Sequence, residues 1–257
     1  MKTKSFILSV FCALSALAVG TLFTACCNKQ KCQQGELTIA TETIAIDASK
    51  DAIADQAYTD YLAPIKASMD EKMETVLGHA PEAMYVDTFE CPMLNWAADA
   101  LLEAAQKVCP KKVDIALLNR GGTRCNWAAG DITLGHVFKM MPFDNKMVVV
   151  TLKGQDIIDL FTFLAKGSAQ GIAGMKAKFV NRELAELTIA GKPVDPNATY
   201  RVATNSYLAK GKDGMEALAR DPKPWDSGLL IRDIYIEAVR KQGTVRAAID
   251  GRMVIQK

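Results

Sequence analysis

The sequence predicts an α/β domain with a mixed sheet, and three observations support this. Apolar residues between positions 61 and 77 recur mostly at three- and four-residue intervals, which is helical spacing. Residues 113–118 are nearly all apolar, which is typical of a strand covered on both faces. Residues 167–199 are rich in Gly, Lys and turn residues and indicate a hairpin. Strands that alternate with helices predict an α/β fold, and the hairpin makes the sheet mixed.

The elements follow in order from Tyr58, where we expect the folded part to begin. One helical face carries Tyr61, Leu62, Ile65, Met69, Met73 and Leu77, and Gly78 and Pro81 end that helix. Further helices are predicted at residues 95–108, from a Thr133 cap to Lys139, at 154–166 and at 229–240. Strands are predicted at residues 84–86, 113–118, 146–152, 175–180, 187–189, 200–204 and 252–255.

The N-terminus has the pattern of an export signal. Lys2 and Lys4 precede an apolar stretch at residues 6–23, which leads into Thr24-Ala25-Cys26. The cysteine after Ala25 is similar to a bacterial lipobox, so we expect residues 1–25 to be a lipoprotein signal peptide and Cys26 to be lipidated. The alternatives are an ordinary signal peptide or a retained membrane helix, and the stretch is at the short edge of the about 20 residues that a span needs.

The rest of the chain has the size of one domain. Residues 26–57 are largely polar and predict a tether with a candidate first strand at 36–46, followed by a folded domain at 58–257. The net charge is +2 without a long basic run, so no nucleic-acid partner is predicted. Cys91, Cys109 and Cys125 lack metal-site spacing and are expected to be core residues or free thiols, with disulfide pairing left open.

Three segments carry the candidate ligand site. Asn119-Arg120-Gly121-Gly122-Thr123-Arg124 directly follows the apolar strand, and the others are Pro142-Phe143-Asp144-Asn145 and residues 206–214, from Ser206 to Gly214. A strand that runs into a glycine pair brings the backbone close to a ligand, because glycine has no Cβ and tolerates positive φ. An arginine placed there can hold a phosphate through two parallel hydrogen bonds.

Joined in this order, the segments resemble the ligand pocket of the 5'-nucleotidase C-terminal domain. The resemblance covers roughly residues 58–257 and implies a layered α/β/β/α domain. It implies that Phe143 and Tyr207 hold the base between them, that Asp213 accepts hydrogen bonds from the ribose hydroxyls, and that Asn119 contacts the nucleoside. Arg124 would reach toward phosphate, beside the Arg120-Gly121-Gly122 turn. The alternative for the two aromatic residues is a place in the core, and Lys-Gly-Lys-Asp-Gly taken alone would be an ordinary turn.

Two positions depart from the family pattern. Members commonly carry a phosphate-facing arginine three residues before a glutamate that corresponds to Glu90, and here that position is Asp87. An acid there repels a phosphate or fails to bind it. Arg120 stands where the family usually has glycine, so it either replaces part of the missing cation or points to solvent. These changes leave nucleoside recognition intact and put phosphate recognition in doubt.

The chain also differs from full-length members in its metal ligands. It has two histidines, His79 and His136, and neither lies in a cluster that would hold two cations about 3.5–4 Å apart. We therefore expect no catalytic residue and no cofactor in this chain, and divalent metals only in a separate metallophosphatase chain. The leading hypothesis is the nucleotide-binding half of a split nucleotidase. The alternatives are a stand-alone nucleoside- or nucleotide-binding lipoprotein and a degenerate domain with a structural role.

Overall fold

The computed structural model describes residues 40–53, 55–167 and 169–256. The chain divides into two units, Met1–Ala54 and Asp55–Lys257. The predicted signal peptide and Cys26 lie outside the described residues. Residues 40–46 form no strand, so the candidate first strand at 36–46 is absent from its described part. No helix in the described part of the chain has the length and apolar character needed to cross a membrane.

The second unit alternates helices and strands. The helices are α1 (Gln56–Met73), α2 (Pro92–Val108), α3 (Leu134–Met140), α4 (Gly154–Leu164) and α5 (Ile231–Gln242). The first strands are β1 (Val76–Ala80), β2 (Ile115–Leu118), β3 (Gly130–Thr133), β4 (Lys146–Lys153) and β5 (Gly171–Ala173). The later strands are β6 (Met175–Val180), β7 (Glu183–Ile189), β8 (Lys192–Pro193), β9 (Thr199–Asn205), β10 (Trp225–Leu230) and β11 (Met253–Gln256).

The central sheet is mixed, as predicted. It has five strands in the order β10-β4-β9-β2-β5, with β2 parallel to β9 and its other pairs antiparallel. A second sheet has the order β11-β6-β7-β8, in which β11 is parallel to β6. Strands β1 and β3 form a separate antiparallel pair. The α/β class with a mixed sheet is therefore confirmed.

Both faces of the central sheet are covered because successive strand side chains point to opposite sides. On β2, Ala116 and Leu118 face the core formed with α2 and α5, whereas Ile115 and Leu117 face the core formed with α4 and the second sheet. All four are buried. This is the physical reason for the unbroken apolar run that predicted the strand.

Most predicted elements lie within two or three residues of their observed bounds, and Thr133 caps α3 as expected. The helix predicted to end at Gly78 is wrong at its end, because it stops at Met73 and β1 follows. Gly78 instead allows the Gly243 backbone to approach closely, since a Cβ at position 78 would lie 2.8 Å from the Gly243 carbonyl oxygen. The strand predicted at 84–86 is reduced to a single bridge between Met84 and Trp127. Cys91 is buried, and it is a free thiol, as are Cys109 and Cys125.

Candidate functional site

The candidate site lies where two parallel strands end. Because β2 and β9 are parallel neighbours, the residues that end them meet at the same edge of the sheet. Asn119 follows β2 and Asn205 ends β9, and both side chains are buried. The Asn205 amide Nδ2 donates to Asn119 Oδ1 at 3.2 Å, and Asn205 Oδ1 accepts from the Leu208 backbone N–H at 2.7 Å. Asn205 therefore orients Asn119 and fixes the start of the next loop.

Asp213 completes this network. Asn119 Nδ2 donates to Asp213 Oδ2 at 2.7 Å, and the Tyr207 hydroxyl donates to Asp213 Oδ1 at 2.8 Å. Asp213 has a φ of 57°, a left-handed conformation that aspartate tolerates better than most residues. Gly214 follows it with a positive φ, and a Cβ there would lie 2.4 Å from Phe163 Cζ. The loop thus needs glycine at 214 to hold the Asp213 carboxylate in place.

The hydrogen bond to Asp213 also affects Tyr207. The carboxylate accepts a hydrogen bond from the phenolic O–H, and this raises the pKa of Tyr207 above its ordinary value. Each Asp213 oxygen accepts one hydrogen bond from the protein, and a carboxylate oxygen has two lone pairs. One acceptor position remains on each oxygen for a ligand.

Phe143 and Tyr207 lie on neighbouring loops. Their loops adjoin β4 and β9, which pair directly, with Met147 opposite Asn205. The Ser206 N–H donates to the Lys146 carbonyl at 2.9 Å, and the Lys146 N–H donates to Ser206 Oγ at 3.1 Å. Phe143 is 39% exposed and Tyr207 40% exposed. The alternative that these rings are core residues is not supported, since neither ring is buried.

Arg124 lies against Phe143. Its guanidinium carbon is 5.8 Å from the centre of the Phe143 ring, within the range of a cation–π contact. The Arg124 side chain also donates to the Gly121 carbonyl at 3.3 Å, and its backbone N–H donates to the Met140 carbonyl at 2.9 Å. These contacts bring the glycine-containing segment and the Phe143 loop together.

The glycine pair does not use the positive φ that glycine tolerates, and one of its members packs against Asn119. Arg120–Gly122 forms a short 3-10 turn, and neither Gly121 nor Gly122 has a positive φ. A Cβ on Gly122 would lie 2.9 Å from Asn119 Oδ1. Gly122 therefore makes room for the Asn119 side chain within the hydrogen-bond network.

Arg120 and Asp87 are joined through the backbone. Arg120 Nε donates to the Asp87 carbonyl at 2.7 Å, and the Arg120 backbone N–H donates to Gln170 Oε1 at 2.8 Å. The Asp87 carboxylate accepts from the N–H and hydroxyl of Thr88. The Arg120 side chain thus tethers the segment around Asp87. An open cavity of about 610 Å³ adjoins this turn, and Arg120, Arg124 and Asn126 contribute to its lining.

Both histidines have structural contacts. His79 Nδ1 lies 3.1 Å from Asp131 Oδ1 across the β1–β3 pair. His136 Nδ1 accepts the Thr133 N–H at 3.1 Å, and Thr133 Oγ1 accepts the His136 N–H, which completes a cap at the start of α3. Within the described ranges, no three His, Cys, Asp or Glu side chains are grouped as metal ligands.

Two residues at the site were missed in the sequence. Asn205 lies directly before the Ser206–Gly214 segment, and its position at a strand end is the signal that could have identified it. Arg232 has no such signal. Its largely buried guanidinium stacks on Phe138 at 4.3 Å and donates to Asp144 Oδ1 at 2.7 Å, so that α5 holds the Phe143 loop from behind.

Sequence comparison places this architecture in a family. Residues 76–220, more than half of the chain, match the family described as 5'-nucleotidase, C-terminal domain. The chain belongs to this family. Protein UshA of Escherichia coli is 27% identical over 199 residues, which are 76% of this chain and 36% of the relative. The probable 5'-nucleotidase of Treponema pallidum is 32% identical over 184 residues, which are 63% of this chain and 31% of the relative.

A solved structure shows the same fold. The crystal structure of the 5'-nucleotidase precursor from Thermus thermophilus superimposes with a TM-score of 0.69 at 25% identity, covering 80% of this chain and 44% of that chain. The chain spans about a third of the length of the curated relatives given above.

Proposed function

We propose that this chain is the nucleotide-binding half of a split 5'-nucleotidase. It would position a nucleoside phosphate for hydrolysis by a separate metallophosphatase chain, which would hold the divalent metals. Positioning alone can supply a large part of a barrier reduction, so a half without a catalytic group still matters to the rate. The role would belong to nucleotide breakdown.

The observation that carries the proposal is the Asn205–Asn119–Asp213–Tyr207 network. A vicinal diol has two donors, and Asp213 keeps one acceptor position on each oxygen to receive them. The network holds the carboxylate before any ligand arrives, so binding does not have to order it. These features support a ribose at Asp213.

The base and phosphate follow from the same geometry. With the ribose at Asp213, the base would lie between the half-exposed rings of Tyr207 and Phe143. Stacking suits any base, because every base has a π-face. Arg124, beside Phe143, would then face the phosphate.

The metals fit a second chain better than this one. A two-metal phosphatase site uses several Asp and His ligands to activate water and to balance the charge that develops on the leaving oxygen. Here His79 is paired with Asp131 and His136 forms part of a helix cap, at separate places in the fold. We therefore assign this chain substrate positioning and derive no metal-dependent step from its residues.

A second candidate is supported by the phosphate side of the pocket. The Arg120 side chain donates to the Asp87 carbonyl. Asp87 itself stands where family members commonly carry a phosphate-facing arginine. A pocket with a well-ordered ribose site and a weak phosphate site would also suit a stand-alone nucleoside-binding lipoprotein. In either case we propose that the chain is held at the cell envelope through lipid on Cys26. A Cys26→Ser variant that stays with the membrane after signal cleavage would contradict that anchor.

Calorimetry and activity assays together test the proposal. A soluble form starting at residue 28 is titrated with adenosine, AMP and a sugar nucleotide, and phosphate release from AMP is measured with Mn²⁺, Zn²⁺ or Co²⁺. The split-enzyme proposal predicts ligand binding without hydrolysis by this chain, and hydrolysis once the metallophosphatase chain is added. Robust metal-dependent phosphate release by this chain alone would contradict it. Binding that never leads to hydrolysis with any such partner would favour the second candidate.

A further inference from the structure

Helix α1 presents an apolar stripe to solvent. Tyr58, Tyr61, Leu62, Ile65 and Met69 follow one another at helical spacing and are between 40% and 68% exposed. At about 100° per residue these side chains share one face of the helix. Among the described side chains of α1, none is buried. An exposed stripe of this length commonly marks an interaction site.

The opposite face of α1 is polar and forms its own contacts. Gln56 Nε2 donates to Asp60 Oδ1 at 2.8 Å, and Lys66 forms an ion pair with Asp70 one turn further on. Ala67 lies about half a turn away from Ile65, on this polar side. The helix is therefore two-sided, with one polar face and one apolar face that is exposed from Tyr58 to Met69.

Two contacts that attach α1 to the domain lie at its C-terminal end. The Leu134 N–H donates to the Thr75 carbonyl at 2.9 Å, and Gly135 makes room for Met73. Pro64 lies inside the helix and removes one of its backbone hydrogen bonds. Helices in water gain most of their stability from packing an apolar face. We therefore expect α1 to pack against another molecule.

A bilayer is a poor match for this helix. Lys66 and Lys72 are outnumbered by Asp60, Asp70 and Glu71, which leaves the helix slightly acidic. Helices that lie on membranes are typically rich in Lys and Arg on the polar face and carry Trp, Phe or Leu on the other. Two of the five stripe residues of α1 are tyrosines, which are enriched in protein interfaces.

The position of α1 points to a particular protein partner. The helix ends just before residue 76, where the match to the C-terminal domain family begins. In the relatives this domain is about a third of a longer chain. Because the domain is the C-terminal one, the remaining chain of a relative joins it on the side of α1. The apolar stripe of α1 thus lies on the side where the rest of the chain is attached in the relatives.

We propose that the apolar stripe of α1 is the docking surface for a metallophosphatase chain. This inference rests on the proposed split-enzyme function. The end of α1 contacts α3, and α3 leads through Met141 into the Phe143 loop. A chain seated on α1 is therefore connected through one short helix to the nucleotide pocket. The helix that carries the stripe is about 27 Å long at 1.5 Å per residue, which suits the apolar centre of an interface whose rim the charged residues supply.

Site-specific crosslinking in the producing cells tests the docking surface. A photo-reactive amino acid is placed in the full-length chain at Ile65, at Ala67 on the polar face, or at Phe89. Phe89 is exposed and lies two residues after Asp87, whose carbonyl holds Arg120. We expect Ile65 to form an adduct with a chain that carries metallophosphatase motifs, and Ala67 to form much less. An Ile65 adduct with a second copy of this chain, with lipid, or with nothing would overturn the docking surface.

The Phe89 position distinguishes a failure of the α1 docking surface from a failure of the split-enzyme proposal. A metallophosphatase adduct from Phe89 but not from Ile65 would leave the split enzyme in place and reject the α1 surface. If neither position captures such a chain, both the surface and the split enzyme are rejected.

Substitutions give an independent readout. The double variant Leu62→Asp with Ile65→Asp places two charges in the stripe, and Ala67→Asp places one on the polar face as a matched control. We expect AMP hydrolysis by envelope fractions to fall at least about tenfold in the double variant, as for a centrally placed interface residue. The control is expected to keep wild-type hydrolysis, and both variants are expected to keep wild-type adenosine affinity. Unchanged hydrolysis in the folded double variant would overturn the proposal.

Discussion

The two ends of the proposed nucleotide pocket, a ribose end and a phosphate end, are built differently. At the ribose end, Asn119, Asn205, Tyr207 and Asp213 form side-chain hydrogen bonds with one another, each at 3.2 Å or less. At the phosphate end, Arg120 and Arg124 donate their side-chain hydrogen bonds to backbone carbonyls. The hydrogen bonds of the first end hold the Asp213 carboxylate in place, whereas those of the second end hold the loop backbone. If the proposed assignment of the two ends is right, this difference predicts that nucleoside recognition dominates binding by this chain.

The largest expected effect comes from Asp213→Asn. Hydrogen bonds to charged groups contribute about 1.5–3 kcal/mol, so adenosine should bind roughly ten- to a hundredfold more weakly. The amide also turns a donor toward the donors of Asn119 or Tyr207. Titration with 2',3'-dideoxyadenosine is the control, because it lacks the hydroxyls that Asp213 would accept. Equal losses of affinity for both ligands would show that Asp213 does not bind the ribose hydroxyls.

Removal of either stacking ring should have a slightly smaller effect. Phe143→Ala and Tyr207→Ala are each expected to cost about 1–3 kcal/mol of nucleoside binding. Because both rings are about 40% exposed, the free energy of unfolding should change little. Tyr58→Ala, on the remote exposed face of α1, is the matched control. A folded Phe143→Ala or Tyr207→Ala protein with wild-type affinity would show that the base does not stack between these two rings.

Tyr207→Phe sharpens the contrast within the ribose end. It keeps the ring for stacking and removes the hydroxyl that donates to Asp213. A hydrogen bond of this kind contributes about 0.5–1.5 kcal/mol, so adenosine affinity should fall roughly two- to tenfold. Dideoxyadenosine affinity should not change. A loss shared by both ligands in calorimetry would show that the hydroxyl does not act through Asp213.

Asp87→Arg should have the smallest effect. It restores a cation where the family usually has one, and exposed ion pairs contribute about 0.2–1 kcal/mol. AMP affinity should therefore rise up to roughly fivefold while adenosine affinity stays constant. Asp87→Asn, which only removes the negative charge, should give a smaller gain. A gain for adenosine as large as for AMP would place position 87 away from the phosphate.

The sequence predicted the sheet and the site segments where local chemistry was strong. The apolar run before Asn119 marked β2, and the Thr133 cap marked α3. The short pair β1–β3 was missed, because Gly78 and His79 are not typical strand residues. Glycine is needed at 78 for the close approach of Gly243, which is distant in the sequence. Arg232 was also missed, because its partners Phe138 and Asp144 lie far along the chain. Such contacts leave no local pattern.

Helix α1 shows the same limit in another form. Its spacing predicted a helix with one apolar face, and the helix is present at Gln56–Met73. Spacing gives the face but not what covers it, and in this structure the face is exposed. Periodicity cannot distinguish a core face from an interface, because both exclude water from the same side chains.

The affinities of the wild-type chain for adenosine and for AMP, measured by calorimetry in one buffer, test the central claim most directly. If recognition is concentrated at the ribose and base, both ligands should bind, with dissociation constants within about tenfold of each other, a difference of no more than about 1.4 kcal/mol. The two should also compete for one site. Tight binding of AMP together with no detectable binding of adenosine would place the recognition at the phosphate and contradict this account.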